Sequence, residues 1–362
     1  MKIYEKEGFA YSALYSEMRE KIVRGAFKRG DKLPPKRVVA EEKGVSVITV
    51  EHAYGLLCEE GYAEGRERKG YYVTYSEEDW FSTGGEKIII GGHTGDGKDL
   101  SAFSLPLATY KKTARVVLNK YGGALLTRSE KRGTKELLCA VKRYLNRKYG
   151  INVSENQIIV GAGSEYLYGV LALTLKDRGV FAVESPSYHK IEKTYSAHGV
   201  ACDPLSLGED GVKSEELKRT TAKVLHVTPY GSFPTGITAS PGKKREYLAW
   251  VQSDGRTLIE DDFESEFALG VKNAETIFSL DKSGKTVYLN SFTKTLSPAI
   301  RAAYMVLPQA LLKEYEDKAG FFACTVPKFE QYLIAELLDS GDFEKHVNRV
   351  RNKLRREKIT RV

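Results

Sequence analysis

Residues 290–304 read NSFTKTLSPAIRAAY, with Lys294 standing between Ser291 and Arg301 just beyond the apolar run Val287-Tyr288-Leu289. A short apolar run closed by polar residues reads as a buried strand. A lysine at such a strand end can act as an amine nucleophile, and a nearby arginine offers a planar fork of donors to a phosphate. Toward the N-terminus, residues 257–267 (TLIEDDFESEF) end a second apolar run on Glu260-Asp261-Asp262. Residues 158–175 (IIVGAGSEYLYGVLALTL) give strand, glycine turn and helix, so the first helical amides, at Ser164 and Glu165, can hold an anion. These runs and KVLHVTP alternate with helical stretches, the pattern of βαβ units around a mostly parallel sheet. Singly, each fragment has a bland reading: a solvated lysine, an ordinary strand-to-helix turn, an aspartate capping a helix. Their common placement at strand ends carries the prediction.

The chain has 362 residues, 41% hydrophobic and 29% charged, which describes a soluble globular protein with room for two cores. It contains no stretch near the roughly 18 uninterrupted apolar residues of a membrane span, and no signal-peptide pattern, so a cytoplasmic address is expected. Cys58, Cys139, Cys202 and Cys324 are scattered without C-x-x-C spacing. That argues against a zinc site or a disulfide framework, and no metal is expected. The net charge of +8 is a weak pointer to nucleic acid, because Lys345–Val362 holds eight Lys/Arg and one Glu. DNA binding therefore has to be argued from a motif.

That motif lies in residues 11–75. Leu14, Met18 and Ile22 recur four apart, the stripe of an amphipathic helix over Tyr11–Phe27 that Gly30-Asp31 breaks. A second helix opens at Pro34-Pro35 and ends at Gly44, which can take the left-handed cap. Ser46 can cap a third, in which Val50, Ala53, Tyr54 and Leu57 form the buried face. Ser46, Val47, Ile48 and Thr49 are then expected at an exposed N-terminal end. After Gly61, YAEGRERKGYYVTY reads as two short strands around a charged tip bearing Arg66, Arg68 and Lys69. Residues 76–100 are glycine-rich and acidic, as in a linker.

Residues 28–73, KRGDKLPPKRVVAEEKGVSVITVEHAYGLLCEEGYAEGRERKGYYV, resemble the GntR-type winged helix-turn-helix. The resemblance implies double-stranded operator DNA as partner, with Arg37 and the wing cations on phosphates and Ser46, Val47 and Thr49 near the major groove. Where that family usually has Arg-Asn after the serine, this chain has Val47-Ile48, which shifts readout toward thymine methyls or DNA shape. The second half resembles fold-type I pyridoxal 5'-phosphate (PLP) aminotransferases. By that resemblance Lys294 holds the cofactor, Asp261 faces its pyridinium nitrogen, and Tyr188 of VESPSYHK stacks on the ring. Ser164, Glu165, Ser291 and Arg301 surround the phosphate.

The combination resembles the MocR-type subgroup of GntR regulators. It implies an α/β chain: a winged helix-turn-helix (residues 1–75), a linker (76–100) and an aminotransferase-like domain (101–362). That domain is a three-layer, mostly parallel fold-type I large domain with a shortened C-terminal subdomain. The implied protein is a homodimer whose DNA binding answers to PLP or a small amino compound. Two departures are visible: Phe263 and Phe233 stand where the family has a tyrosine and an asparagine beside the cofactor hydroxyl. No arginine for a substrate carboxylate is evident. The basic residues 345–362, with Val347, Val350 and Leu354 near helical spacing, read as a long helix rather than an extra DNA arm. Three functions follow: a PLP-binding regulator, a dimerising remnant that only binds DNA, and an active aminotransferase.

Overall fold

Leu14, Met18 and Ile22 are buried along one face of α1 (Ile3–Val23) in the computed structural model, which describes residues 3–59, 61–66, 69–75, 104–253, 255–263, 265–267 and 275–360. The helix stops earlier than the stripe suggested, ahead of Gly25 at φ 79°. α2 (Lys36–Lys43) ends on Gly44, whose φ of 62° lets its amide close the last turn. α3 (Val47–Glu59) buries Val50, Ala53, Tyr54 and Leu57 completely, as its period required. β1 (Ala63–Arg66) and β2 (Gly70–Val73) pair antiparallel as the wing. Residues of all five elements share one apolar core with Leu33, Tyr62 and Val73.

The described residues divide into two compact units, and the stretch from Glu344 onward, within the helix Asp342–Thr360, groups with the winged helix.

The second unit is built on a seven-stranded sheet: β3 (Ile158–Gly161), β4 (Phe181–Ser185), β5 (Cys202–Ser206), β6 (Val224–Val227), β7 (Thr257–Asp261), β8 (Thr286–Ser291) and β9 (Ala303–Val306). Their order is β3-β9-β8-β7-β6-β4-β5. β9 runs antiparallel to both neighbours, and the other strands run one way. Every residue of β6, β7 and β8 is buried, as central strands covered on both faces must be. One face packs under the helices Ser164–Leu175, His189–Ala197 and Leu312–Lys318; the other carries Tyr247, Trp250 and Val251 of the helix Pro241–Gln252. Helix, sheet and helix make the three layers. In such folds ligands sit beyond the C-terminal strand ends.

Candidate functional site

Alternation along β7 sends Ile259 and Asp261 to the face of the Ser164–Leu175 helix, and Leu258 to the other. Asp261 is 1% exposed; its Oδ2 accepts from the Tyr168 hydroxyl at 2.5 Å and lies 3.5 Å from His226 Nε2. Its Oδ1 is also buried yet has no hydrogen-bond partner among the described residues. An unsatisfied buried acceptor costs about 1–3 kcal/mol, so this oxygen has the chemistry of a place kept for a donor. His226 Nδ1 meets the Tyr195 hydroxyl at 2.7 Å, so a tyrosine and a histidine, itself held by a second tyrosine, back the carboxylate from inside the fold.

Lys294 sits on the four-residue helix Phe292–Thr295, which Ser291 opens by accepting the Thr293 amide on Oγ. Its Nζ lies 4.5 Å from the centroid of the Phe263 ring. Burial lowers its pKa from 10.5 to about 8, against the opposing pull of the Asp261 charge. Phe263 thus borders the lysine where the resemblance implied a tyrosine.

The Ser164–Leu175 helix starts after Gly163, at φ 91°, and a Cβ there would come within 2.7 Å of Arg301 Nη2. The guanidinium therefore lies against bare backbone at a helix N-terminus, where amides and dipole favour an anion. Glu165 accepts from Lys190 at 2.5 Å and Tyr188 at 3.3 Å and lies 3.9 Å from Arg301; the Lys190 bond above all holds its pKa low. Tyr188 precedes the helix His189–Ala197 and meets the Phe233 ring edge-on at 6.3 Å. The structure thus gathers Glu165, Tyr188 and Arg301 in one group, and Asp261 with Lys294 in another, all at or beyond the same ends of the parallel strands. Ser291 is buried and serves as a helix cap.

Sequence reasoning missed Tyr168, His226, Tyr195 and Glu184. Glu184 at the end of β4 accepts from the Thr228 amide at 3.1 Å and the Ser232 hydroxyl at 2.6 Å, tying β4 to the turn before Phe233. Burial raises its pKa to about 7. For His226 a signal existed, since alternation in KVLHVTP puts it on the face of Asp261.

In the winged helix, Ser46 caps α3 through the Thr49 amide at 3.1 Å. Val47 and Ile48 are 40% and 65% exposed. Thr49 corrects the sequence reading: it is buried, with its hydroxyl 2.8 Å from that of Ser46, because the cap draws it inward. Arg37, Arg66 and Lys69 are exposed, and Arg68 lies outside the described residues.

A winged helix-turn-helix joined to an aminotransferase fold defines the class of protein. The family model of bacterial regulatory proteins of the gntR family matches residues 10–73. The HTH-type transcriptional regulator YdeL of Bacillus subtilis is 28% identical over 96% of this chain and 77% of its own length. The probable rhizopine catabolism regulatory protein MocR of Rhizobium meliloti is 27% identical over 93% of this chain and 73% of its own. Among solved structures, the α-aminoadipate aminotransferase LysN of Thermus thermophilus superposes with a TM-score of 0.61 at 26% identity, covering 73% of this chain and 67% of that one. A gntR-family winged helix together with an aminotransferase fold matches the architecture of the MocR-type transcription regulators. Among the described residues no helix is long and apolar enough to cross a membrane.

Proposed function

We propose that this regulator binds PLP in its aminotransferase-like domain and duplex operator DNA on its winged helix, and that PLP, or an amino compound reacting with it, alters DNA affinity. The carrying observation is the buried Oδ1 of Asp261, unpartnered among the described residues, together with a lysine whose amine is made partly neutral by burial. Bound there, PLP would supply an electrophilic carbonyl and an electron-withdrawing pyridine ring. Asp261 would accept a hydrogen bond from the protonated ring nitrogen and so keep that proton on the ring, and Lys294 would provide the amine. Arg301 and the amides of Ser164 and Glu165 would hold the phosphate, and Tyr188 would cover the ring.

On the DNA side, Val47 and Ile48 offer apolar contact at the recognition end, Ser46 orders the helix start, and Arg37, Arg66 and Lys69 take phosphates. The winged helix spans residues 1–75 and is joined by the stretch from Glu344 onward, the aminotransferase-like domain runs from 101 to Phe343, and 76–100 is the linker. A homodimer is supported by exposed Leu107, Leu118 and Leu126, at 64%, 55% and 92%. The test is fluorescence anisotropy on duplexes selected from a random pool, with and without PLP. The wild-type midpoint should move with PLP while that of Lys294→Ala does not. Equal curves for wild-type protein in both conditions would refute the coupling.

A further inference from the structure

The helix Asp342–Thr360 carries Arg349, Lys353 and Arg356 at i, i+4 and i+7, one cationic face, with Val347, Val350 and Leu354 buried on another. The cationic face adjoins the wing. Asn352 Nδ2 donates to the Gly61 carbonyl at 3.3 Å, and the backbone is close enough that a Cβ on Gly61 would lie 3.7 Å from Arg349 Cα. Lys345 Nζ lies 5.2 Å from the Tyr15 ring centroid, which fixes the start of the same segment on α1. One turn beyond Asn352, Arg356 Nη2 is 3.2 Å from Glu64 Oε2 on β1, while Glu64 Oε1 accepts from Arg66 Nε at 2.8 Å. One carboxylate thus bridges an arginine of the wing and an arginine of the helix. Both guanidinium side chains stay open to solvent, at 51% for Arg66 and 64% for Arg356.

We propose that this helix face is a third DNA-contacting element: Lys353 and Arg356 continue the wing cations Arg66 and Lys69 into one strip that takes duplex phosphates. Glu64 occupies the place of a phosphate between the two arginines until DNA arrives. The inference rests on the winged helix binding DNA. It commits to sequence-independent backbone contact, because the strip is built of cations and offers no amide or apolar group to a base edge.

The test measures affinity of the full chain for a duplex against salt concentration. Removing one cation that neutralises a phosphate lowers the slope of log K on log salt by about 0.9. Lys353→Gln with Arg356→Gln should lower it by about 2, Lys69→Gln by about 1. Glu64→Gln should tighten binding several-fold, whereas a clasp that only props the wing would make the same change weaken binding and lower Tm. A slope unchanged in the double variant but reduced in Lys69→Gln overturns the helix contact and leaves the DNA reading standing. No salt-dependent binding by any form, wild type included, overturns both.

Discussion

If Lys294 is the amine that captures PLP, the rate of capture should follow the neutral fraction of that one side chain. Burial moves its pKa from 10.5 to about 8. At pH 7 roughly one Lys294 in ten is then neutral, against about one in three thousand for an ordinary lysine, an advantage of about 300-fold in reactive amine. Lys294→Ala supplies the background from surface lysines, and a lysine peptide corrects for the reagent's own titration. The assay is stopped-flow absorbance after mixing with PLP, from about pH 6.5 to about 9.5, a range chosen to bracket the shifted value. The corrected rate should climb with pH to a plateau with a midpoint near 8. Asp261→Asn removes the negative charge that favours the ammonium, so its midpoint should fall. A rate still rising tenfold per unit at the top of the range would refute the reasoning, as would a midpoint that rises in Asp261→Asn.

Gly163→Ala places a Cβ against the Arg301 guanidinium at φ 91°; it should weaken PLP binding about tenfold and destabilise by about 1–2 kcal/mol, read by spectral titration and thermal melts. Glu184 binds its proton more tightly folded than unfolded, so the stability it contributes is present below about pH 4.5 and lost as pH rises through about 7. Glu184→Gln should flatten that decline by up to about 3 kcal/mol in urea melts across this window, and an unchanged slope would sink the assignment. Ser46→Ala removes the cap of α3 and should destabilise the protein by about 1 kcal/mol in urea melts while lowering DNA affinity in anisotropy titrations.

The winged helix was legible because its signals are local: the period of Val50, Ala53, Tyr54 and Leu57, the Ser46 cap and the left-handed Gly44 each need only a few neighbours. Asp261 and Lys294 were legible because polar groups ended apolar runs. What escaped the sequence depends on partners far along the chain. Tyr168 reaches Asp261 across 93 residues, and Glu184 reaches Ser232 across 48. Thr49 was misjudged from its place at the helix start, although it stands four residues before Ala53 and eight before Leu57, on the buried face, with its hydroxyl turned to Ser46. The basic residues after Glu344 read as a helix, but their seat on Gly61 and Glu64 lies 291 and 292 residues away and left no trace in composition.

The most direct test of the central claim is to incubate the protein with PLP, reduce with borohydride, and map the modified residue by mass spectrometry. The expected result is a stoichiometric pyridoxyl adduct on Lys294, absent in Lys294→Ala and accompanied by a visible band that reduction bleaches. An adduct spread over surface lysines, or none at all, would contradict it.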